Sequence, residues 1–324
     1  MKKIRIGILG CADIAKRLVV PNMIASKKYE IIAFASRTML KAKEYSEIFG
    51  GLPIEGYENL INRNDIDAVY IPLPTGMHYE WITKSLLAGK HVFAEKSIAS
   101  TFKEVEEIIE IARKRKLCVF ENFMFPYHSQ FEFINKKLNE GIIGEIKLLR
   151  SSFGFPKFDV ENNIRYSKAL GGGAVIDAGA YTLMAAQFIL GKNQKVIAAT
   201  SNSNDFEVDF HGTIVLESES KIVSQLAFGF DNFYQNNIEL WGTKGKLIVD
   251  RAFTAGPGYS PKIIIENQNE KREYVLPPDN HFIKILNLFH ESIRIDNFYL
   301  QYDQIISQSR LLNEVRKASA KLYI

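Results

Sequence analysis

The chain has 324 residues, of which 46% are hydrophobic and 24% charged, and its formal net charge is +4. This length exceeds that of a typical single domain, so we expect two domains with separate cores, and the composition is that of an ordinary globular protein. The densest basic cluster, residues 113–116, ends a predicted helix, where cations stabilise the helix dipole. These features argue against a nucleic-acid-binding protein.

The chain carries two cysteines, Cys11 and Cys118, which lack CxxC spacing. We see no signal peptide and no apolar run that approaches the ~20 residues of a membrane span. A cytoplasmic protein without a disulfide or a membrane-spanning segment is therefore expected. The six histidines include no HExxH or other close ligand pair, and no GxSxG is present, so neither a metal site nor a serine hydrolase is predicted.

A buried strand, Ile4–Gly10, opens the chain and leads into a helix start at Cys11–Arg17. A strand, a tight turn and a helix N-terminus form a phosphate cradle for a dinucleotide, because free N–H groups and the helix dipole face the pyrophosphate. The full fingerprint has three glycines, and alanine replaces the second and third of them here, so a plain βα turn is the alternative. The predicted cofactor-binding residues of this turn are Gly10, Cys11, Ala12, Asp13 and Ile14.

The second strand, Glu30–Arg37, ends on Ser36 and Arg37 rather than on an acidic residue. An NAD site usually places Asp or Glu there to bind the ribose diol. A hydroxyl and a guanidinium suit a 2′-phosphate instead, so this strand end predicts NADP(H) in preference to NAD(H). The alternative is an exposed arginine at a strand end.

Helices and strands continue to alternate up to residue 121. The predicted helices are Thr38–Phe49, Tyr57–Arg63, Tyr79–Ala88 and Lys103–Arg115, and the predicted strands are Leu52–Ile54, Asp67–Pro74, Gly89–Lys96 and Leu117–Glu121. This alternation predicts an α/β domain with a doubly wound parallel (Rossmann) sheet over residues 1–122.

Two strand ends of this domain carry candidate site residues. The loop Pro72–His78 would lie under the nicotinamide, with Pro72, Leu73, Thr75 and His78 as cofactor-binding candidates. The run Val92–Ser97 closes an apolar strand on an adjacent acid and base, Glu95 and Lys96, where a parallel strand delivers them to a ligand crevice. Both residues are therefore candidates for the cofactor site.

The second half, residues 123–324, reads as an α+β domain with a large open, mostly antiparallel sheet. A sheet with one uncovered face favours a homodimer or homotetramer that packs through this sheet. Predicted helices are Gln130–Glu140, a segment from Gly173, His281–Arg294 and Tyr302–Lys317, of which the last two could pack back on the first domain. Predicted strands are Glu145–Phe155, Lys195–Asn202, Phe206–Leu216, Ile222–Phe230, Asn237–Trp241, Gly245–Val249 and Pro261–Glu266.

A glycine-rich helix start, Gly171–Tyr181, is the second candidate site. Asp177 and Tyr181 are four residues apart and share one helical face, so they could bind a sugar-like substrate, or they could form only a surface hydrogen bond. Further upstream, Phe123, Phe125 and Tyr127 alternate after Glu121, which is typical of a packed strand.

Together with the opening fingerprint, Glu95-Lys96 and Gly171–Tyr181 resemble the glucose–fructose oxidoreductase / inositol dehydrogenase (Gfo/Idh/MocA) superfamily. Further motifs resemble the NADPH-dependent sugar-nucleotide C-3 ketoreductases of deoxysugar pathways. These motifs are Arg165-Tyr166, Phe228-Gly229-Phe230, Glu239–Gly245, Asp250–Thr254 and Asp279–Phe282. The family's usual Glu-Lys-Pro, often linked to a cis bond, is Glu-Lys-Ser here because Ser97 replaces proline.

The resemblance implies roles for individual residues. Lys96 matches the active-site lysine, Tyr181 stands where this branch has tyrosine, and Asp177 is the acid one turn earlier. The substrate, a nucleotide sugar, would contact Asp177 and Tyr181 together with Phe123, Tyr127, Arg165 and Tyr234.

These roles imply that hydride from the nicotinamide reduces a keto group, at C-3 of a nucleotide-linked deoxysugar. Tyr181 would supply the proton, and Lys96 would stabilise the alkoxide. Two alternatives remain open: an NADP-dependent dehydrogenase of free sugars or dihydrodiols, and a non-catalytic NADP-binding regulatory protein.

Overall fold

The computed structural model describes residues 3–158, 163–203 and 205–320. The chain divides into two compact units that no single cut separates. The first unit comprises Met1–Phe123 and Phe282–Ile306, and the second comprises Met124–His281 and Ser307–Ile324.

The first unit is built on a six-stranded parallel sheet with strand order β3-β2-β1-β4-β5-β6. Its strands are β1 Ile4–Leu9, β2 Tyr29–Ser36, β3 Leu52–Glu55, β4 Ala68–Ile71, β5 His91–Ala94 and β6 Val119–Glu121. Side chains on β1, β4, β5 and β6 are mostly buried on both faces, as doubly wound sheets require, whereas those of the edge strand β3 are exposed or half-buried. The predicted Rossmann architecture is confirmed, and the strand order reverses direction between β1 and β4.

Helices cover both faces of this sheet. They are α1 Val20–Ser26, preceded by a π-helical segment Ala15–Val19, then α2 Met39–Phe49, α3 Tyr57–Ile61, α4 Thr75–Leu87 and α5 Phe102–Arg115. α5 begins with a capping box, in which Thr101 and Glu104 satisfy each other's backbone N–H groups.

The helix α4 corrects the predicted loop at residues 72–78. It begins at Thr75, directly after Pro74, so Thr75 and His78 are helical rather than part of a loop. The predicted start at Tyr79 was late because residues 75–78 contain a glycine and no apolar periodicity that marks a helix.

The C-terminal helix α8, His281–Arg294, and the first part of α9, Tyr299–Ala320, return to the first unit. The Phe289 ring lies 5.3 Å from that of Phe93 and 5.8 Å from that of Phe120. The Tyr302 hydroxyl donates to the carbonyl of Leu117. These contacts bury aromatic rings next to β5 and β6, the strands that lead to Lys96 and Glu121.

The second unit contains an eight-stranded sheet with order β14-β13-β12-β11-β7-β10-β9-β8. Neighbouring strands pair antiparallel, except β7 with β10, which confirms the mostly antiparallel sheet. The strands are β7 Ile146–Phe155, β8 Gln194–Asn202, β9 His211–Ser218, β10 Val223–Phe230, β11 Gln235–Gly242, β12 Gly245–Val249, β13 Lys262–Asn267 and β14 Lys271–Val275. The unit also contains helices α6 Ser129–Asn139 and α7 Ala180–Leu190, a π-helical turn, Val175–Gly179, before α7, and the part of α9 from Ser307 onwards.

One face of this sheet packs against α7. A Cβ atom at Gly179 would lie 3.3 Å from the Phe228 ring, so glycine allows this close approach. On the opposite face Trp241 is 52% exposed.

The strands of this unit differ from the prediction in two places. The strand predicted from Phe206 begins five residues later, at His211. The residues before it make other contacts: the rings of Phe206 and Phe210 stack at 4.0 Å, and the Asp209 carboxylate accepts the N–H of Val175. The strand β14 was missed because its Lys-Arg-Glu sequence lacks the apolar alternation of a typical strand.

In the described part of the chain, no helix is long and apolar enough to cross a bilayer. The same residues contain no group of three His, Cys, Asp or Glu side chains that could hold a metal ion. Cys11 and Cys118 are free thiols, and burial raises the pKa of Cys11 to about 11.

Replacing Gly10 with alanine is predicted to destabilise the first unit. Gly10 has φ +124°, and a Cβ atom there would lie 2.7 Å from Leu73 Cδ2. Backbone strain and overpacking together should lower the free energy of unfolding by about 2–5 kcal/mol, measured by urea denaturation. Gly89→Ala is the matched control, since Gly89 has φ +78° but no neighbour within 4 Å. Equal losses in the two variants would contradict the contact with Leu73.

Candidate active site

The candidate site of the first unit lies at the carboxyl ends of its parallel strands. Ligands of such sheets bind where the strand order reverses, here between β1 and β4. The turn after β1 and the loop after β4 meet at this point, because Gly10 is packed against Leu73. Cys11 and Ala12 follow at this edge of the sheet, and helical backbone begins at Asp13 and Ile14. The first N–H groups of a helix have no partners within it, so they are available to a ligand here.

The end of β2 presents Ser36 and Arg37 beside the start of α2. Ser36 is buried, whereas Arg37 is exposed. Arg37 acts electrostatically on Tyr57, where burial raises the pKa of the phenol and Arg37 opposes that rise. This guanidinium and the N-terminus of the 11-residue α2 can attract a phosphate group.

His78 does not lie where a ligand can reach it. Its side chain is 0% exposed, and its ring nitrogens lie 2.8 Å from the carbonyl oxygens of Ser97 and Leu73. Burial lowers the pKa of this imidazole. The predicted direct contact with a cofactor is therefore wrong for His78, which instead joins the loop after β4 to the segment that carries Lys96.

Lys96 directly follows Glu95 at the end of β5, and the peptide bond between Lys96 and Ser97 is cis. Glu95 Oε1 accepts the Tyr70 hydroxyl at 2.6 Å and the Asn122 amide at 2.7 Å. Burial raises the pKa of Glu95, and these two hydrogen bonds together with the Lys96 charge oppose the rise.

Glu121 lies at the same strand edge as Lys96 and was not among the residues selected from the sequence. It ends β6 next to β5, is 9% exposed, and its Oε1 accepts the N–H of Ile98 at 2.9 Å. Burial raises its pKa to about 8, opposed by the Ile98 hydrogen bond and the charge of Lys96. The sequence did contain a signal for Glu121, because it stands at the carboxyl end of a predicted strand, which is the criterion by which Lys96 was selected.

Tyr181 lies in the second unit, near the start of α7. Its ring is surrounded by three phenylalanine rings, with centroid distances of 5.0 Å to Phe153, 5.6 Å to Phe253 and 5.8 Å to Phe125. The residue is partly exposed. Aromatic packing fixes the ring while part of the side chain remains accessible.

Asp177 and Arg165 form an ion pair in the second unit, with Nε and Oδ2 2.7 Å apart. The Arg165 guanidinium also lies 5.0 Å from the centroid of Phe158. The loop before Gly171 therefore brings Arg165 to the helix segment that carries Asp177, a contact that the spacing of Asp177 and Tyr181 did not predict.

The aromatic residues after β6 do not continue a strand. Residues Phe125–Tyr127 form a 3₁₀ turn, because Pro126 cannot donate a ladder hydrogen bond. Of the two interpretations of this segment, a packed strand and the cleft lining implied by the resemblance, the packed strand is therefore wrong. Phe123 is buried, and burial raises the pKa of the partly exposed Tyr127 to about 12.

Tyr234 belongs to a polar and aromatic cluster in the second unit. Its hydroxyl lies 2.8 Å from Thr254 Oγ1 and accepts the Asn236 amide at 2.8 Å. The Arg251 guanidinium lies 5.8 Å from the Tyr234 centroid and 5.1 Å from the Tyr259 centroid. A guanidinium held between two rings can bind a phosphate or stack on a base.

Comparison with known proteins agrees with this arrangement. Residues 4–123 match the GFO_IDH_MocA oxidoreductase family with an NAD-binding Rossmann fold, and residues 131–248 match the GFO/IDH/MocA C-terminal domain. A dTDP-3,4-didehydro-2,6-dideoxy-alpha-D-glucose 3-reductase from Actinomadura kijaniata is 38% identical over 99% of this chain and 97% of its own. A D-xylose 1-dehydrogenase (NADP(+)) from Haloferax volcanii is 32% identical over 78% of this chain and 77% of its own.

Among solved structures, the chain is similar to a 3-ketoreductase from Actinomadura kijaniata in complex with NADP and TDP-benzene. The TM-score is 0.95, the identity is 38%, and the match covers 98% of each chain. These similarities confirm the resemblance inferred from the sequence motifs. The chain belongs to the Gfo/Idh/MocA family of oxidoreductases.

Proposed function

We propose that the protein reduces the C-3 keto group of a nucleotide-linked deoxysugar with NADPH. The observation that carries the proposal is the 38% identity, over 99% of the chain, to a dTDP-sugar 3-reductase. The structural relative with a TM-score of 0.95 was crystallised with NADP and TDP-benzene, which supports both the cofactor and a nucleotide-linked substrate.

The residues at the first sheet's carboxyl edge fit NADP(H). The turn Gly10–Ile14 would hold the pyrophosphate, because the φ of +124° at Gly10 lets the backbone approach it. Ser36 and Arg37 would bind the 2′-phosphate, because β2 itself ends on a hydroxyl and a guanidinium rather than on an acidic residue. Pro72, Leu73 and Thr75, beside that turn, would line the nicotinamide pocket.

Bound NADPH would supply a hydride to the carbonyl carbon, and the carbonyl oxygen would then develop negative charge. Tyr181 would donate its phenolic proton to this oxygen, and the Lys96 ammonium would stabilise the alkoxide and the resulting phenolate. Glu95, which interacts electrostatically with Lys96, would help to position its amine. Asp177, which forms an ion pair with Arg165, would position the start of α7 rather than donate a proton.

Substrate binding is assigned to aromatic and basic side chains. Tyr127 would line the cleft, while Arg165 and Tyr234 would hold the sugar or its nucleotide. Phe123 is only 2% exposed, so it would support the cleft from the core rather than contact the substrate. The neighbouring Arg251 adds a charge suited to a diphosphate.

We further propose that two copies of the chain associate through the exposed face of the second sheet, as a dimer or within a tetramer. Trp241, Leu148 and Val223 form an apolar row across three adjacent strands on this face. Beside this row, Arg150 forms an ion pair with Glu239, so the neighbouring charges cancel each other. A second copy would bury this row.

A turnover assay with a panel of substrates tests the proposed reaction. Purified protein should oxidise NADPH faster than NADH in the presence of a 3-keto dTDP-sugar. Reduction of NADP by free xylose or a dihydrodiol, without activity on the keto sugar, would favour the dehydrogenase function instead, which the relative from Haloferax volcanii supports. Binding of NADPH without any turnover would favour a non-catalytic regulatory protein.

Tyr181→Phe should lower kcat by a factor of ~10² or more, because positioned proton donation typically contributes at least that much. The dissociation constant for NADPH, measured by fluorescence, should not change, since the cofactor-binding residues lie in the first unit. Tyr274→Phe, which removes a phenol from β14, is the control and should match the wild type. An unchanged kcat in Tyr181→Phe would exclude the phenol as the proton donor.

Trp241→Glu should lower the molar mass measured by light scattering, because a buried charge without a partner opposes association. Leu40→Glu is the control, since Leu40 is 82% exposed on α2. A Trp241→Glu protein with the wild-type mass would show that this face is not the interface.

A further inference from the structure

Two carboxyl groups and one ammonium group are crowded at adjacent strand ends of the first unit. Glu95 follows β5 and Glu121 ends β6, and both interact electrostatically with Lys96. Tyr70 of β4 reaches Glu95, and His78 of α4 contacts the Ser97 carbonyl beside Lys96. One ammonium can balance only one carboxylate, so a second buried carboxylate would lack a counter-charge.

The hydrogen bonds decide which carboxyl group is ionised. Glu95 Oε1 accepts two donors, the Tyr70 hydroxyl and the Asn122 amide, and such donors favour the charged form. For Glu121, by contrast, the hydrogen bond seen in the described part of the first unit is the one that its carboxyl accepts from the N–H of Ile98. The two carboxyl groups also repel each other, so the proton that the pair retains is held by Glu121.

Glu121 is also attached to the catalytic segment. Its bond to the Ile98 N–H fixes the chain two residues after Lys96, and the His78 ring fixes the intervening Ser97 carbonyl. A change in the charge of Glu121 therefore acts on the segment that places the Lys96 amine.

We propose that Glu121 is a positioning residue whose neutral acid form holds the Lys96 segment in place. Because this form carries no charge, the Lys96 ammonium can interact with Glu95 and with the substrate. When Glu121 loses its proton, the new carboxylate attracts Lys96 away from the substrate, and reduction slows. This inference rests on the proposed function, because it assigns Lys96 to the reducing step.

A pair of substitutions tests the inference. Glu121→Gln remains neutral at every pH and still presents an oxygen to the Ile98 N–H, whereas Glu121→Ala removes that acceptor. In the wild type, kcat for the 3-keto dTDP-sugar should fall as the pH rises above about 8, in line with the raised pKa of Glu121. Glu121→Gln should match the wild type at pH ~7 and exceed it severalfold at pH ~9, because only the wild type gains a carboxylate there.

Glu121→Ala should have a lower kcat at every pH. Glu270→Gln, an exposed substitution before β14, is the control and should follow the wild-type curve. A Glu121→Gln curve that superimposes on the wild-type curve would overturn the inference while leaving the reductase function intact.

A second readout does not depend on turnover. The pKa of Glu121 is raised in the folded protein, so the wild type should lose thermal stability relative to Glu121→Gln as the pH rises from about 4.5 to about 8. Above that range, the difference in Tm should be constant. A difference that does not change with pH would show that Glu121 is ionised throughout and would refute the inference. If no variant turned over a keto sugar, the proposed function would fail, and the Tm difference alone would decide whether Glu121 holds the proton.

Discussion

The placement of Lys96 depends on buried hydrogen bonds that join neighbouring strand ends of the first sheet. Glu95 is bonded to β4 through Tyr70, and the backbone of Ile98 is bonded to β6 through Glu121. Each of these bonds lies where water is largely excluded, so losing one partner would leave a buried polar group unsatisfied. The segment therefore has one favourable position, set by three strands rather than by its own sequence.

Packing by distant parts of the chain supports this arrangement. Phe289 of α8 contacts Phe93 of β5, the strand that precedes Lys96, and Phe120 of β6, the strand that ends at Glu121. The hydroxyl of Tyr302 in α9 donates a hydrogen bond to the carbonyl of Leu117, shortly before β6 begins. The C-terminal helices thus complete the core of the first unit, although the bond between Tyr302 and Leu117 spans 185 residues of sequence.

The two units supply different chemistry to the proposed reaction. Polar and charged groups dominate the strand ends of the first unit, where the buried carboxyl groups of Glu95 and Glu121 interact electrostatically with the Lys96 amine. In the second unit Tyr181 is surrounded by Phe153, Phe253 and Phe125, and the basic side chains Arg165 and Arg251 lie over aromatic rings. Rings with guanidinium groups suit a nucleotide better than a small sugar, which is consistent with the proposed substrate.

The sequence by itself determined the Rossmann sheet, the mostly antiparallel second sheet and the strand ends at which Gly10, Arg37 and Lys96 stand, because alternation and turn chemistry are local properties of the chain. Only the tertiary structure decided that His78 is a buried link, that Asp177 pairs with Arg165, and that Glu121 shares the surroundings of Lys96. The physical reason is that hydrogen-bond partners and pKa values depend on burial and on groups far away in sequence. No local pattern records which side chains those will be.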